Sequence, residues 1–175
     1  MKRIMKRVFA VIFTLLLISV AAFAQKSGAA KSDPSQPVHD AFDRLVEGIN
    51  QVDVNKVLSV YDNSPRLLIF NNNGTVTMGY DSVKANVEAT YAKLKNVTLE
   101  ITGLRVEMMG AKSAYVSCKW KQSQENNGKL ENASGRMTLI FQLVGKNWKI
   151  THRHTSPDKP DPSLLFPSER VPQTP

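Results

Sequence analysis

Apolar and polar positions alternate with the period of a strand along Trp148-Lys-Ile-Thr-His-Arg-His-Thr-Ser156. Strict alternation puts Trp148, Ile150, His152 and His154 on one side, and Lys149, Thr151, Arg153 and Thr155 on the other. Nearer the start the period is helical. Val38, Phe42, Leu45, Val46 and Ile49 form one helix stripe, with Pro37 near its start, where a missing N–H costs nothing. A second, short helix follows Asp53, a fitting N-cap, with Val54, Val57, Leu58 and Tyr61 on one face. Val83, Val87, Tyr91 and Leu94 form a third stripe behind Asp81, another fitting cap.

Between the second and third helices, Arg66–Phe70 and Thr75–Met78 flank the turn signal Asn71-Asn-Asn-Gly74 and predict a short hairpin. After Asn96 the alternation is that of strands. Val97–Met109 predicts a strand with a bulge or bend at Gly103. In the next strand Ala114, Val116, Cys118 and Trp120 share one face, and Asn126-Asn-Gly128 marks a hairpin tip. Residues 136–144 and 148–155 form the last pair. Helix, helix, hairpin, helix and four long antiparallel strands give an α+β domain, with three N-terminal helices packed on one face of a curved antiparallel sheet.

Composition changes this picture at the ends of the chain. Residues 1–24 have a basic start, an apolar run from Val8 to Val20 and the small-x-small site Ala22-Phe23-Ala24, the marks of a cleaved signal peptide with Gln25 as the new N-terminus. The expected location is therefore secreted or periplasmic, with no stable membrane anchor after cleavage. Residues 25–35 read as a flexible linker, 36–156 as the domain and 157–175 as a proline-rich tail. Lys2, Arg3, Lys6 and Arg7 leave with the leader, so the formal charge falls from +8 to +4. The remaining basic residues are scattered without interleaved aromatics, which argues against a nucleic-acid partner. Cys118 is the single cysteine, so no internal disulfide can form and the core must hold the domain. Within its apolar strand pattern it reads as a small buried hydrophobe, with a catalytic thiol as the alternative.

Two of the three histidines are His152 and His154, and imidazole is suited to proton transfer near neutral pH. His-x-His also suits zinc or iron, but no third ligand follows and His39 is far off in the first helix, so neither metal nor cofactor is assigned. What stands opposite the histidines depends on the last turn. A two-residue loop sets His152 opposite Leu139 and His154 opposite Met137. A three-residue loop sets them opposite Ile140 and Thr138, with Ser156 opposite Arg136. Trp120, Tyr61, Phe70 and Tyr80 are the aromatic candidates for a pocket wall, with core packing as the other reading.

The element order, ending in Trp-Lys-Ile-x-His-x-His-x-Ser, resembles the SnoaL-like families of the nuclear transport factor 2-like superfamily, which includes ketosteroid isomerase-like proteins. Phe42, Leu45, Ile49, Asp53, Tyr61, Gly79, Arg136, Thr138, Trp148, Ile150, His152, His154 and Ser156 carry the resemblance, over about residues 38–156. It implies a cone whose bent sheet keeps a mostly apolar cavity, and a homodimer formed through the outer sheet face. It also favours the second turn arrangement, giving a polar corner of Arg136, Thr138, His152 and His154 suited to an anionic or carbonyl-bearing ligand. The carboxylate and oxyanion trio of ketosteroid isomerase cannot be placed here. The expected function is binding of a small, largely apolar molecule with a polar or anionic group. The alternatives are an isomerase, dehydratase or hydrolase using His152 or His154 as acid/base, and a structural or oligomerisation module with a vestigial cavity.

Overall fold

The computed structural model describes residues 33–159 and 161–170; the predicted signal peptide lies outside them. Helix α1 (Gln36–Asn50) and helix α2 (Val54–Val60) form as their stripes predict, and Asp53 caps α2 by accepting from the Lys56 N–H at 2.9 Å. Helix α3 (Tyr80–Tyr91) starts behind Gly79 rather than Asp81 and stops before Leu94, which opens the next strand. The third stripe therefore ran into the strand. Leu94 is buried as the first residue of the strand, so its hydrophobicity could not mark the boundary.

Six strands form one sheet: β1 (Leu68–Phe70), β2 (Val76–Met78), β3 (Leu94–Met108), β4 (Ser113–Asn126), β5 (Lys129–Val144) and β6 (Asn147–Pro157), in the order β2-β1-β6-β5-β4-β3. The sheet is mixed rather than wholly antiparallel, because the β1–β2 hairpin joins through β1, which runs parallel to β6. The helices cover one face, and the core lies between that face and α1, centred on Phe42, Leu45, Val116, Leu139, Phe141 and Ile150. Burying such side chains contributes roughly 1.5–3 kcal/mol each, the main term holding this disulfide-free domain together.

The bends fall where the backbone departs from regular pairing. Gly103 sits at φ +61°, inside a register shift between Thr102 and Arg105, as the isolated glycine predicted. A second shift spans Lys95 to Thr98, with Asn96 at φ 51°. Beyond it the Leu99 N–H donates to Asn50 Oδ1 at 2.6 Å, pinning the strand to the end of α1. Gly135 meets a different need. A β-carbon there would stand 2.1 Å from the Ser156 carbonyl oxygen and 3.1 Å from the Trp120 indole, so only glycine lets β6 and Trp120 come this close.

The third irregularity sets the facing of the last half of β6. The turn between β5 and β6 has two residues, with Val144 opposite Asn147 and Phe141 opposite Ile150. The pairing then slips, and His152 falls opposite Ile140. Thr151 is the extra residue of this β-bulge, and its hydroxyl reaches the Ile140 carbonyl at 3.4 Å. The slip lies where β6 changes edge partner: Ile150 pairs with Tyr61, and from His152 onward β6 pairs with β1.

Candidate functional site

A one-residue insertion reverses the facing of every later side chain. Trp148 and Ile150 point into the core as the alternation predicts, and His152 and His154 do not follow them. His154 pairs with Thr138 and His152 with Ile140, while the cavity-lining Met137 pairs with Thr155 and the buried Leu139 with Arg153. Arg153 and Thr155 therefore enter the interior and the two imidazoles stand on the outer face. This corrects the expectation that Trp148, Ile150 and both histidines share a face. The expected corner of Arg136, Thr138, His152 and His154 does assemble, in the register of the three-residue loop, but across the sheet from the hollow. There His152 and His154 meet the Phe70 ring edge-on, with centroids 5.3 and 5.8 Å away.

The interior holds two adjoining hollows of about 470 and 590 Å3, within the usual range for small-molecule sites. Both are lined by Ile49, Asn71, Asn72, Gln122, Gln124 and Arg153. Trp120, Leu99 and Met137 line the first, and Tyr61, Ile69, Val87 and Tyr91 the second. Of the predicted pocket aromatics, Trp120 and Tyr61 line the hollows. Tyr80 packs against the core cluster, and Phe70 stands outside with the histidines. Trp120 is oriented by its indole N–H, which donates to the Arg136 carbonyl at 3.3 Å.

Arg153 is the cation of this interior. Its Nη1 donates to the Tyr61 hydroxyl at 2.8 Å and its Nη2 to Asn71 Oδ1 at 3.2 Å, and its guanidinium lies 5.9 Å from the Tyr61 ring centroid. Its Nε is buried and, among the described residues, without a hydrogen-bond partner. None of the ion pairs among those residues includes Arg153. Burial holds the nearby Tyr91 hydroxyl well above the usual phenol pKa; Tyr61 adds to this and the Arg153 charge offsets part of it. Tyr91 therefore stays protonated at neutral pH. Tyr61, Tyr91 and Arg153 together form a donor-rich cluster without a carboxylate.

Beyond Trp120 the inner face of β4 turns polar. Gln122 Nε2 donates to Gln124 Oε1 at 2.6 Å, Gln124 Nε2 donates to Glu131 Oε2 at 2.9 Å, and Asn126 Nδ2 donates to Glu131 Oε1 at 3.1 Å. Continuing the Ala114–Trp120 parity by two and four residues would have found Gln122 and Gln124. No comparable signal announced Arg153, because the bulge at Thr151 leaves no mark in the apolar pattern. Cys118 is buried, and burial pushes its thiol up to about 11, so it stays protonated at neutral pH as a core residue does. Among the described residues, no group of three His, Cys, Asp or Glu side chains is placed to hold a metal ion.

A helix-lined hollow inside a bent sheet defines a nuclear transport factor 2-like cone, and the comparisons agree. The model of the SnoaL-like domain matches residues 38–160, and the chain belongs to that family. A nuclear transport factor 2-like superfamily protein of Salmonella enterica serovar Typhimurium shares 18% identity at a TM-score of 0.66, covering 76% of this chain and 97% of its own. A ketosteroid isomerase-like protein of Erwinia carotovora atroseptica shares 15% at 0.62, covering 74% and 99%. A protein of Shewanella oneidensis described as NTF-2 like and of unknown function shares 18% at 0.57, covering 71% and 99%. At these identities the likeness is one of fold. The search among curated proteins found no match.

Proposed function

We propose that this domain binds a small, largely apolar molecule through an anionic group seated on Arg153. One observation carries the reading: a half-buried guanidinium lines both hollows and, among the described residues, has no acidic partner. A cation drawn from water without a counter-ion is costly, and an incoming carboxylate relieves that cost with charge-assisted hydrogen bonds. The walls of Ile49, Leu99, Trp120 and Met137 suit a hydrocarbon or aromatic body. Titration with 2-naphthoate, a rigid apolar carboxylate, tests this. The processed protein binds it, and Arg153→Gln weakens binding by about tenfold or more. Equal affinity in the two proteins overturns the proposal.

A second reading draws on the same cluster. The Tyr61, Tyr91 and Arg153 donors would also stabilise an enolate or alkoxide, as a proton-transfer enzyme needs. His152 and His154 stand across the sheet from that cluster, so the base would come from the cavity wall. The leader at residues 1–24 supports an exported protein, and a mature N-terminus at Gln25, read by mass spectrometry, is the expected outcome. The exposed side chains of Val76, Met78 and Phe70 support a homodimer through the outer face, which sedimentation velocity tests directly.

A further inference from the structure

The cavity has a second pole opposite in character to Arg153, and it bears on which anion fits. The pole is the relay Gln122–Gln124–Glu131, whose direction the carboxylate fixes. An ionised carboxylate only accepts, so Gln124 must turn its NH2 toward Glu131. Its carbonyl then faces Gln122, which must turn its own NH2 toward Gln124. That leaves the Gln122 carbonyl oxygen free to accept, and among the described residues nothing donates to it. Gln122 lines both hollows beside Arg153. Glu131 lines the first hollow without an ion-pair partner among the described residues, and as a carboxylate it adds acceptors, not donors, to this end. A donor-rich cluster and a free amide acceptor thus share one apolar container.

We infer that the ligand is bifunctional: it carries an anionic group for Arg153 and, elsewhere on its apolar body, a hydrogen-bond donor (a hydroxyl or an ammonium) that the Gln122 carbonyl reads. Glu131 is a positioning residue, acting through Gln124 on the direction of the Gln122 amide. This inference rests on the anion reading above and adds a specificity to it.

The test compares 2-naphthoate, 6-hydroxy-2-naphthoate and 6-ammoniomethyl-2-naphthoate by calorimetry on the processed protein. At least one of the donor-bearing compounds binds about tenfold more tightly than 2-naphthoate, and which of them gains separates hydroxyl from ammonium. In Gln122→Met, which keeps the length of the side chain and removes the acceptor, the ratio of donor-bearing to plain naphthoate affinity falls below about threefold. Glu131→Gln, which frees the relay to reverse, also reduces the advantage. Circular dichroism and a thermal melt like those of the parent protein certify the fold of each variant. If neither donor improves binding, or the advantage survives in Gln122→Met, this inference falls and the anion reading stands. If 2-naphthoate does not bind, or binds without regard to Arg153, both fall together.

Discussion

The two halves of β6 teach different lessons although the sequence gives them one rhythm. From Trp148 to Ile150 the strand follows simple alternation, with Ile150 fully buried against Leu139 and Phe141 in the core. From His152 to Ser156 the rhythm continues but the facing is reversed, and Arg153 enters the interior in place of the imidazoles. One inserted residue, Thr151, separates the two facings. The same contrast divides the sheet. Its inner face carries the core and the hollow; its outer face carries Phe70, the histidines, Arg136 and Thr138.

Paired substitutions test whether the two faces differ in this way. The largest effect is expected from Phe141→Ala, which empties a fully buried inner-face site and should cost about 3–5 kcal/mol by chemical denaturation. Phe70→Ala, at a ring 37% exposed on the outer face, should cost under about 1 kcal/mol, since it loses little beyond edge contacts with the imidazoles. If the two are equal, the division between the faces is wrong. Next comes Gly135→Ala. Its β-carbon meets a carbonyl oxygen, which cannot swing aside as a flexible side chain would. The expected loss is about 1–3 kcal/mol, accompanied by a shift in Trp120 fluorescence as the indole is displaced.

Cys118 tests the inner face through pH. Burial raises its pKa from an ordinary 9.0 to about 11, so the unfolded thiol ionises first. Stability is then fully present below pH 9 and is lost as the pH rises toward 11, because the native state binds more protons in that window. The loss should be on the order of 2 kcal/mol, and Cys118→Ala should flatten the slope. The smallest effect belongs to the histidines. The double variant His152→Ala with His154→Ala should cost about 1 kcal/mol or less and leave 2-naphthoate affinity unchanged. A tenfold loss of affinity there would return the site to the outer face.

Much of the fold was legible because burial alone sets it. The α1 stripe, the Asp53 cap, the Gly103 bulge and the inward run from Ala114 to Trp120 all follow from periodicity and backbone sterics. The parallel pairing of β1 with β6 was not legible, since a three-residue strand carries no sign of its partner's direction. The site was read only in part. Trp120 was a candidate for its place near a strand end, with Tyr61, Phe70 and Tyr80 as similar aromatics, and of these Trp120 and Tyr61 line the hollows. Arg153 was missed because a half-buried arginine behind a bulge has the same sequence pattern as a solvated one. The histidines misled because imidazole is compatible with either face, so their alternation with Ile150 carried no information about burial.

The bulge at Thr151 turns Arg153 into the hollow and the two imidazoles away from it. One NMR titration observes both faces at once, following the Arg153 Nε–H signal and the ring signals of His152 and His154 while 2-naphthoate is added. The expected result is a saturable shift of the Arg153 signal with the histidine rings unmoved. Rings that shift along the same saturation curve, with Arg153 silent, would contradict it.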